Sequence, residues 1–183
     1  MNYQKISKYD TANGPGIREV LWVSGCFHHC KGCQNPETWN PESGMPFTEE
    51  TENEILFDMG APWRHGITFS GGDPLASDDS RAVITQLSRK LKEKYPDKTI
   101  WCYTGHVWDD VKDLECMQYI DVLVDGPFIE ELKNPMLPYC GSSNQRIINV
   151  KESLRMGQVS LWWKESTKQT MKNKWSRYYF DKR

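Results

Sequence analysis

The chain predicts an α/β fold on a mostly parallel sheet, with its chemistry in loops at the C-terminal ends of the strands. Three observations predict it. Short β-rich apolar runs alternate with helix-like stretches along 183 residues. Several of those runs stop at loops rich in cysteine or glycine. The length suits one domain that buries a core without staples.

Taken in order, residues 18–24 read as the first strand, which runs into a loop of three cysteines. Residues 49–57 begin with acids after Thr48, which suits a helix N-terminus. Residues 66–70 are a short β-rich run that halts at Gly71-Gly72. Residues 77–94 form an amphipathic helix. Ser77 is its N-cap, Asp78 and Asp79 lie in its first turn, and Val83, Ile84, Leu87 and Leu91 share one face. Thr99–Tyr103 is strand, 108–117 helix, Val122–Asp125 strand and 146–150 strand. In a parallel sheet the cysteine loop, Gly71-Gly72-Asp73, Thr104-Gly105-His106 and Asp125-Gly126-Pro127 all follow strands, so they should meet at one edge.

The cysteine loop is Cys26-Phe27-His28-His29-Cys30-Lys31-Gly32-Cys33. Three thiolates so close converge on something small and soft. Structural zinc takes four ligands, and a cubane iron–sulphur cluster takes one cysteine per iron. With three, one iron keeps a position for an exchangeable ligand, as catalytic metal sites do. Two other readings stand beside this one. The three could belong to a closed four-ligand site completed by His28, His29, Cys102, Cys116 or Cys140, or they could be unrelated buried thiols. The chain has no downstream C-x2-C pair, which argues against a zinc ribbon or ferredoxin. A disulfide framework does not suit a chain of this size without a secretory segment.

The second loop, Ser70-Gly71-Gly72-Asp73-Pro74, ends a strand with two glycines that allow close backbone approach. Backbone carbonyls and the Asp73 carboxylate there could bind the ammonium of an amino acid that chelates the free iron. Alone, Gly-Gly-Asp reads as a turn; beside the cysteine loop it reads as a site.

Composition bounds the rest. The first ten residues are polar, without the apolar run of a signal peptide, and no stretch approaches a membrane span. A cytoplasmic protein with reduced thiols is expected. The formal charge of −2 hides an asymmetry. Residues 1–150 hold 14 Lys/Arg and 22 Asp/Glu, a net of −8, and residues 151–183 hold 9 and 3, a net of +6. That tail also carries Trp162, Trp163, Trp175, Tyr178, Tyr179 and Phe180. A basic aromatic end invites a nucleic-acid reading, but no nucleic-acid motif accompanies it. The preferred reading is a tail whose aromatics pack on the body while its lysines face water, or whose positive face pairs with the acidic body. Cys102 and Cys116 read as buried small hydrophobes.

Several segments together resemble the radical S-adenosylmethionine enzymes. More narrowly, they resemble the activating proteins of anaerobic, class III ribonucleoside-triphosphate reductases. Besides the two loops above, they are Asn13-Gly14-Pro15-Gly16-Ile17-Arg18, Val23-Ser24-Gly25-Cys26, Asn35-Pro36-Glu37-Thr38-Trp39, Trp101-Cys102-Tyr103-Thr104-Gly105, Val122-Leu123-Val124-Asp125-Gly126 and Gly141-Ser142-Ser143-Asn144-Gln145-Arg146. The resemblance implies a partial, open (β/α) barrel over residues 1–150, with 151–183 as a basic aromatic extension. It implies that Cys26, Cys30 and Cys33 hold a 4Fe–4S cluster whose fourth iron is chelated by S-adenosylmethionine. An electron from a flavodoxin-like donor would then yield a 5′-deoxyadenosyl radical, which takes hydrogen from a glycine of the reductase large subunit. The cofactor-binding positions would be Gly32, Cys33, Gln34, Gly71, Gly72 and Asp73. His28 and His29 would shape the loop rather than act as ligands, and Gly14-Pro15-Gly16 would shape the approach to the site or form a plain turn. Two positions depart from the family pattern. Gln34 stands where an aromatic residue usually lies against the adenine, and its amide can still meet the adenine edge. Cys140 stands where arginine is common. A different activase or small radical enzyme, and a zinc-stabilised nucleic-acid module, are the alternatives.

Overall fold

The computed structural model describes residues 1–163. Seven strands form one sheet: β1 (Asn2–Asp10), β2 (Ile17–Val23), β3 (Met45–Pro46), β4 (Arg64–Gly71), β5 (Thr99–Tyr103), β6 (Val122–Asp125) and β7 (Arg146–Asn149). Their order is β3-β1-β2-β4-β5-β6-β7. The central four, β2, β4, β5 and β6, are parallel, while β1, β3 and β7 join antiparallel. The expectation of a mostly parallel sheet therefore holds for its middle.

The helices are α1 (Glu49–Asp58), α2 (Asp78–Lys94), α3 (Trp108–Val111) and α4 (Val150–Met156). Thr48 caps α1 by accepting from the Thr51 amide, and Ser77 and Ser80 cap α2 reciprocally. Alternation along each strand sends one set of side chains under these helices. Leu21, Val23, Ile67, Phe69, Ile100, Cys102, Leu123 and Ile148 pack there with Ile55, Met59, Ile84, Leu87 and Leu91. Trp101, Val122 and Val124 form a second cluster with Tyr103, Tyr139, Cys140, Ile147 and Trp162. Arg18 is fully buried and faces Trp101 at 5.6 Å. Its guanidinium donates to Thr68 Oγ1, Thr99 Oγ1 and the Ile67 and Thr99 carbonyls, and burial lowers its pKa to about 10.

Three sequence expectations change. The polar N-terminus is strand β1; its side chains are mostly part-exposed, so no apolar run advertises it. The helix expected over 108–117 divides into α3 and a 3-10 turn, Glu115–Gln118, with Leu114 extended between them. At about 100° per residue, an unbroken helix would set Met117 roughly opposite Trp108. The break lets Trp108, Val111, Cys116 and Met117 all enter the core. The last strand stops at Asn149, whose side chain accepts from the Glu152 amide and starts α4. Gly14-Pro15-Gly16 precedes β2, as the sequence leads one to expect. The segment folds back over the sheet, where Thr68 Oγ1 donates to the Asn13 carbonyl at 2.8 Å and a Cβ on Gly14 would lie 3.2 Å from the Trp101 ring. Gly14, at φ +133°, fits because a Cβ there would meet Arg18 Cδ at 2.8 Å.

Candidate iron–sulphur and ligand site

The four loops expected to converge do so at the C-terminal edge of the parallel strands. β2 and β4 run in register to Val23 and Gly71. Beyond that pair, the Gly72 amide donates to the Val23 carbonyl at 2.8 Å and the Asp73 amide to the Gly25 carbonyl at 2.8 Å. A Cβ on Gly71 would meet the backbone of Val23 at 2.8 Å. The two glycines thus let the loop after β4 lie directly against the start of the cysteine loop. The Gly126 amide donates to the His106 carbonyl at 2.8 Å, which joins the loops after β5 and β6.

Cys26, Cys30 and Cys33 are half-buried free thiols on this edge. The Gly25 and Cys26 amides donate to the Thr38 and Trp39 carbonyls, so the segment after the loop folds back to hold its entry. His29, at φ +47°, and Gly32, at φ +69°, supply the reversals between the cysteines. The Asn35 amide points at Cys33 Sγ, 3.4 Å away, and the amides of His28 and His29 are directed at Cys26. Burial raises the Cys26 thiol pKa, and those amide bonds work against that rise. Thiolates with amide donors trained on them fit an iron–sulphur cluster. Cys102 and Cys116 do not share this setting. Both are fully buried in the helix-covered core, and burial raises both thiol pKa values, that of Cys116 to about 11. Cys140 lies in the second cluster, beside Tyr103 and Tyr139.

Asp73 is the hub of the edge. It is 1% exposed, and both carboxylate oxygens accept internal donors. Oδ1 takes the Leu75 amide at 2.8 Å and Thr104 Oγ1 at 2.9 Å. Oδ2 takes Thr104 Oγ1 at 2.9 Å, the Gly105 amide at 3.0 Å and His28 Nε2 at 2.9 Å. Burial pushes its pKa up, but the bonds from His28, Leu75, Gly105 and Thr104 together outweigh that and hold it below the ordinary value. His28 is raised in turn, first by its bond to Asp73. Its ring lies edge-on to His106, with centroids 4.8 Å apart. Sequence reasoning placed Asp73 and the Thr104-Gly105-His106 loop at the edge. The role of His28 as a partner of Asp73 was visible in no local motif.

Gln34, beside Cys33, and Gly32 are both exposed. A Cβ on Gly32 would meet Glu130 Oε1 at 2.7 Å, and Lys31 pairs with Glu130 at 3.1 Å. The segment Gly141–Arg146 locks the loop after β6. Gln145 Oε1 accepts the Gly141 amide while its Nε2 donates to the Gly126 carbonyl, and Asn144 donates to the Pro127 carbonyl. Ser142 accepts the Ile129 amide, and Arg146 binds both oxygens of buried Asp125. The antiparallel sense of β7 explains this placement, since it brings Arg146 opposite Asp125. A cavity of about 430 Å³ lined by Thr99, Asp121, Asn149, Lys151, Arg155 and Trp162 lies at the opposite end of β5 and β6, away from the cysteines.

Of the tail aromatics, Trp162 packs edge-on to Trp101 and Trp163 edge-on to Tyr139. Trp175, Tyr178, Tyr179 and Phe180 lie outside the described residues. No helix among the described residues is long and apolar enough to cross a membrane.

Comparison with known proteins agrees with this geometry. Residues 12–148 match the family model described as a 4Fe-4S single cluster domain. Proteins named anaerobic ribonucleoside-triphosphate reductase-activating protein are similar over most of the chain. That of Enterobacteria phage T4 is 42% identical over 147 residues, covering 80% of this chain and 93% of its own. That of Vibrio cholerae is 44% identical over 151 residues, 80% and 97%. That of Escherichia coli K12 is 40% identical over 155 residues, 82% and 100%. With that identity across nearly the full length of these relatives, and with three free cysteines set beside the Gly-Gly-Asp edge, the chain belongs to the family of anaerobic ribonucleoside-triphosphate reductase-activating proteins.

Proposed function

We infer that the protein is an oxidoreductase that activates an anaerobic ribonucleoside-triphosphate reductase, with a 4Fe–4S cluster and S-adenosylmethionine as cosubstrate. The observation that carries this reading is the juxtaposition of the three-cysteine loop after β2 with the Gly71-Gly72-Asp73 edge after β4. Cys26, Cys30 and Cys33 would hold the cluster. Bound there, it supplies one-electron chemistry, the reductive cleavage of S-adenosylmethionine that leads to a glycyl radical on the reductase.

The chain's own residues do the rest. Backbone acceptors of the Gly71-Gly72 edge take the ligand ammonium, and the buried negative charge of Asp73 favours a cation there. Asp73 serves chiefly by fixing that edge, since its oxygens already accept internal donors. Gln34 offers its amide to the adenine edge, and Gly32 keeps the turn before Cys33 narrow. His28 and the loops after β5 and β6 close the edge against water. The central parallel strands form part of an open barrel, and residues 1–150 are the activase domain. Residues 151–183 extend it, covering the body through Trp162 and Trp163 and touching the reductase large subunit through their positive charge. A flavodoxin-like protein supplies the electron, and the cytoplasm is the compartment. Nothing in the tail besides its charge and aromatics favours nucleic acid.

Six single cysteine-to-alanine variants, reconstituted anaerobically with iron and sulphide, test the reading. Cys26→Ala, Cys30→Ala and Cys33→Ala should lose the cluster absorbance and the cleavage of S-adenosylmethionine. Cys102→Ala, Cys116→Ala and Cys140→Ala should retain both. A full cluster in Cys30→Ala, or a lost one in Cys140→Ala, would reassign the ligands. Wild-type protein that takes up zinc but no iron–sulphur cluster would sink the reading itself.

A further inference from the structure

The cysteine loop is held unevenly, and the unevenness assigns a role to His28. Its entry is fixed by backbone bonds from Gly25 and Cys26 to Thr38 and Trp39, and from Asp73 to Gly25. From Phe27 to Gly32 the ties change character. Phe27 is 65% exposed, His29 is exposed and rests edge-on against Trp39, and Lys31 reaches Glu130 and Glu131 in solvent. Exposed ion pairs of that kind hold a loop weakly. His28 is the member of this segment that reaches a buried partner, Asp73, at 2.9 Å.

The rest of the edge is shaped to receive it. Asp73 takes its other bonds from Leu75, Thr104 and Gly105, which belong to the loops after β4 and β5. Those bonds fix the carboxylate before the imidazole arrives. Gly105 has no side chain, and a Cβ there would overlap the His28 ring. The His106 ring also packs edge-on to it, with centroids 4.8 Å apart. A slot with a fixed acceptor at its base therefore accepts one planar donor from the cysteine loop.

We propose that His28 is a positioning residue: its imidazole clasps the segment carrying Cys30 to the Gly-Gly-Asp edge, setting the spacing across which S-adenosylmethionine must reach both. The proposal rests on the function given above. Its consequence differs from that of losing a thiolate. A cluster needs the three sulphurs, which remain when His28 is replaced. The cosubstrate must touch the cluster and the ammonium edge at once, so a loosened spacing weakens its binding first.

The test uses full-length protein, reconstituted anaerobically, as wild type, His28→Ala, His28→Phe and His28→Gln. Phenylalanine keeps a ring in the Gly105 slot and lacks the donor. Glutamine places an amide N–H near the position of the imidazole Nε2. Iron per chain, S-adenosylmethionine affinity by calorimetry, and the change in the reduced cluster's electron paramagnetic resonance spectrum on adding S-adenosylmethionine are the readouts. His28→Ala and His28→Phe should keep wild-type iron and bind S-adenosylmethionine roughly ten- to a hundredfold more weakly, the span of one charge-assisted hydrogen bond. The spectral change should then need correspondingly more ligand. His28→Gln should recover affinity to within a few fold. Wild-type affinity in His28→Phe overturns the clasp, as does His28→Gln no better than His28→Phe, or loss of iron in both. If His28→Ala does not fold, the phenylalanine and glutamine pair still decides. Failure of the wild type to bind S-adenosylmethionine would instead overturn the function on which the clasp rests.

Discussion

Asp73 and Glu19 are both fully enclosed carboxylates, and the fold treats them in opposite ways. Asp73, after β4, is 1% exposed and is ringed by the Leu75 and Gly105 amides, the Thr104 hydroxyl and His28. Glu19, near the start of β2, is 0% exposed. It has one close cation, Arg64 Nη1 at 2.8 Å, and no well-directed hydrogen bond. Burial raises Glu19 to about 7 despite Arg64, whereas the donors around Asp73 overcome burial and lower it. Depth alone does not settle the charge state of a buried acid; convergent donors do. The C-terminal edge is built to keep a negative charge, and the opposite end of the sheet tolerates one.

The largest way to break this contrast is Asp73→Ala. It strands the Thr104 hydroxyl, the Leu75 and Gly105 amides and His28, each at about 1–3 kcal/mol when buried without an acceptor. A loss of about 4 kcal/mol or more is expected in denaturant unfolding at pH 7, with Asp73→Asn milder because one oxygen remains. A loss below about 1 kcal/mol would mean that the ties are incidental. Glu19→Gln should show the reverse dependence on pH. Because the native pKa is raised, wild-type stability attributable to Glu19 is fully present below about 4.5 and falls as pH rises through about 7. The amide has no proton to lose, so the variant should gain on wild type by about 3 kcal/mol between pH 4.5 and 8. Unfolding measured across that range decides it, and parallel curves would show that Glu19 is already ionised at pH 5.

The sequence made the edge legible and its wiring obscure. Three cysteines within eight residues state their chemistry by spacing, and two glycines after a β-rich run mark a close backbone approach. Both signals are local. The helices α1 and α2 were equally readable, because Thr48 and Ser77 cap them, acids follow in each first turn, and the apolar positions of α2 repeat at helical spacing. The partners of Asp73 were not readable in the same way. His28 lies 45 residues before it and Thr104 31 after it, so nothing short of the folded sheet brings them together. β1 escaped for a different reason. Among the described residues its outer edge pairs with the two residues of β3, and its polar side chains carry little of the core.

Gly105→Ala sharpens the comparison on a smaller scale. The added methyl would overlap the His28 ring, so either the ring or the loop must shift. Overpacking of this kind costs about 1–3 kcal/mol. A melting curve close to that of wild type would show that the His28 slot has room to spare.

The smallest expected effect, and the most direct test of donor convergence, is Thr104→Val. Valine keeps the branched shape and removes the hydroxyl, whose contacts to both Asp73 oxygens are 2.9 Å. Leu75, Gly105 and His28 still donate, so the carboxylate stays ionised at neutral pH and the cost should be about 1–2 kcal/mol. The sign of the acid response is the sharper signature. A carboxylate with a depressed native pKa contributes stability above its unfolded value, about 3.8, and that stability is lost as pH falls through the native value. With one donor fewer the depression shrinks, so the native pKa of Asp73 rises towards 3.8 and acid unfolding of Thr104→Val should begin at a higher pH than in wild type. Thr104→Ser, which keeps the hydroxyl, should leave the acid midpoint in place. If the valine variant loses stability equally at pH 3 and pH 7, the hydroxyl matters to packing and not to the charge on Asp73, and the contrast with Glu19 would rest on the backbone amides and His28 alone.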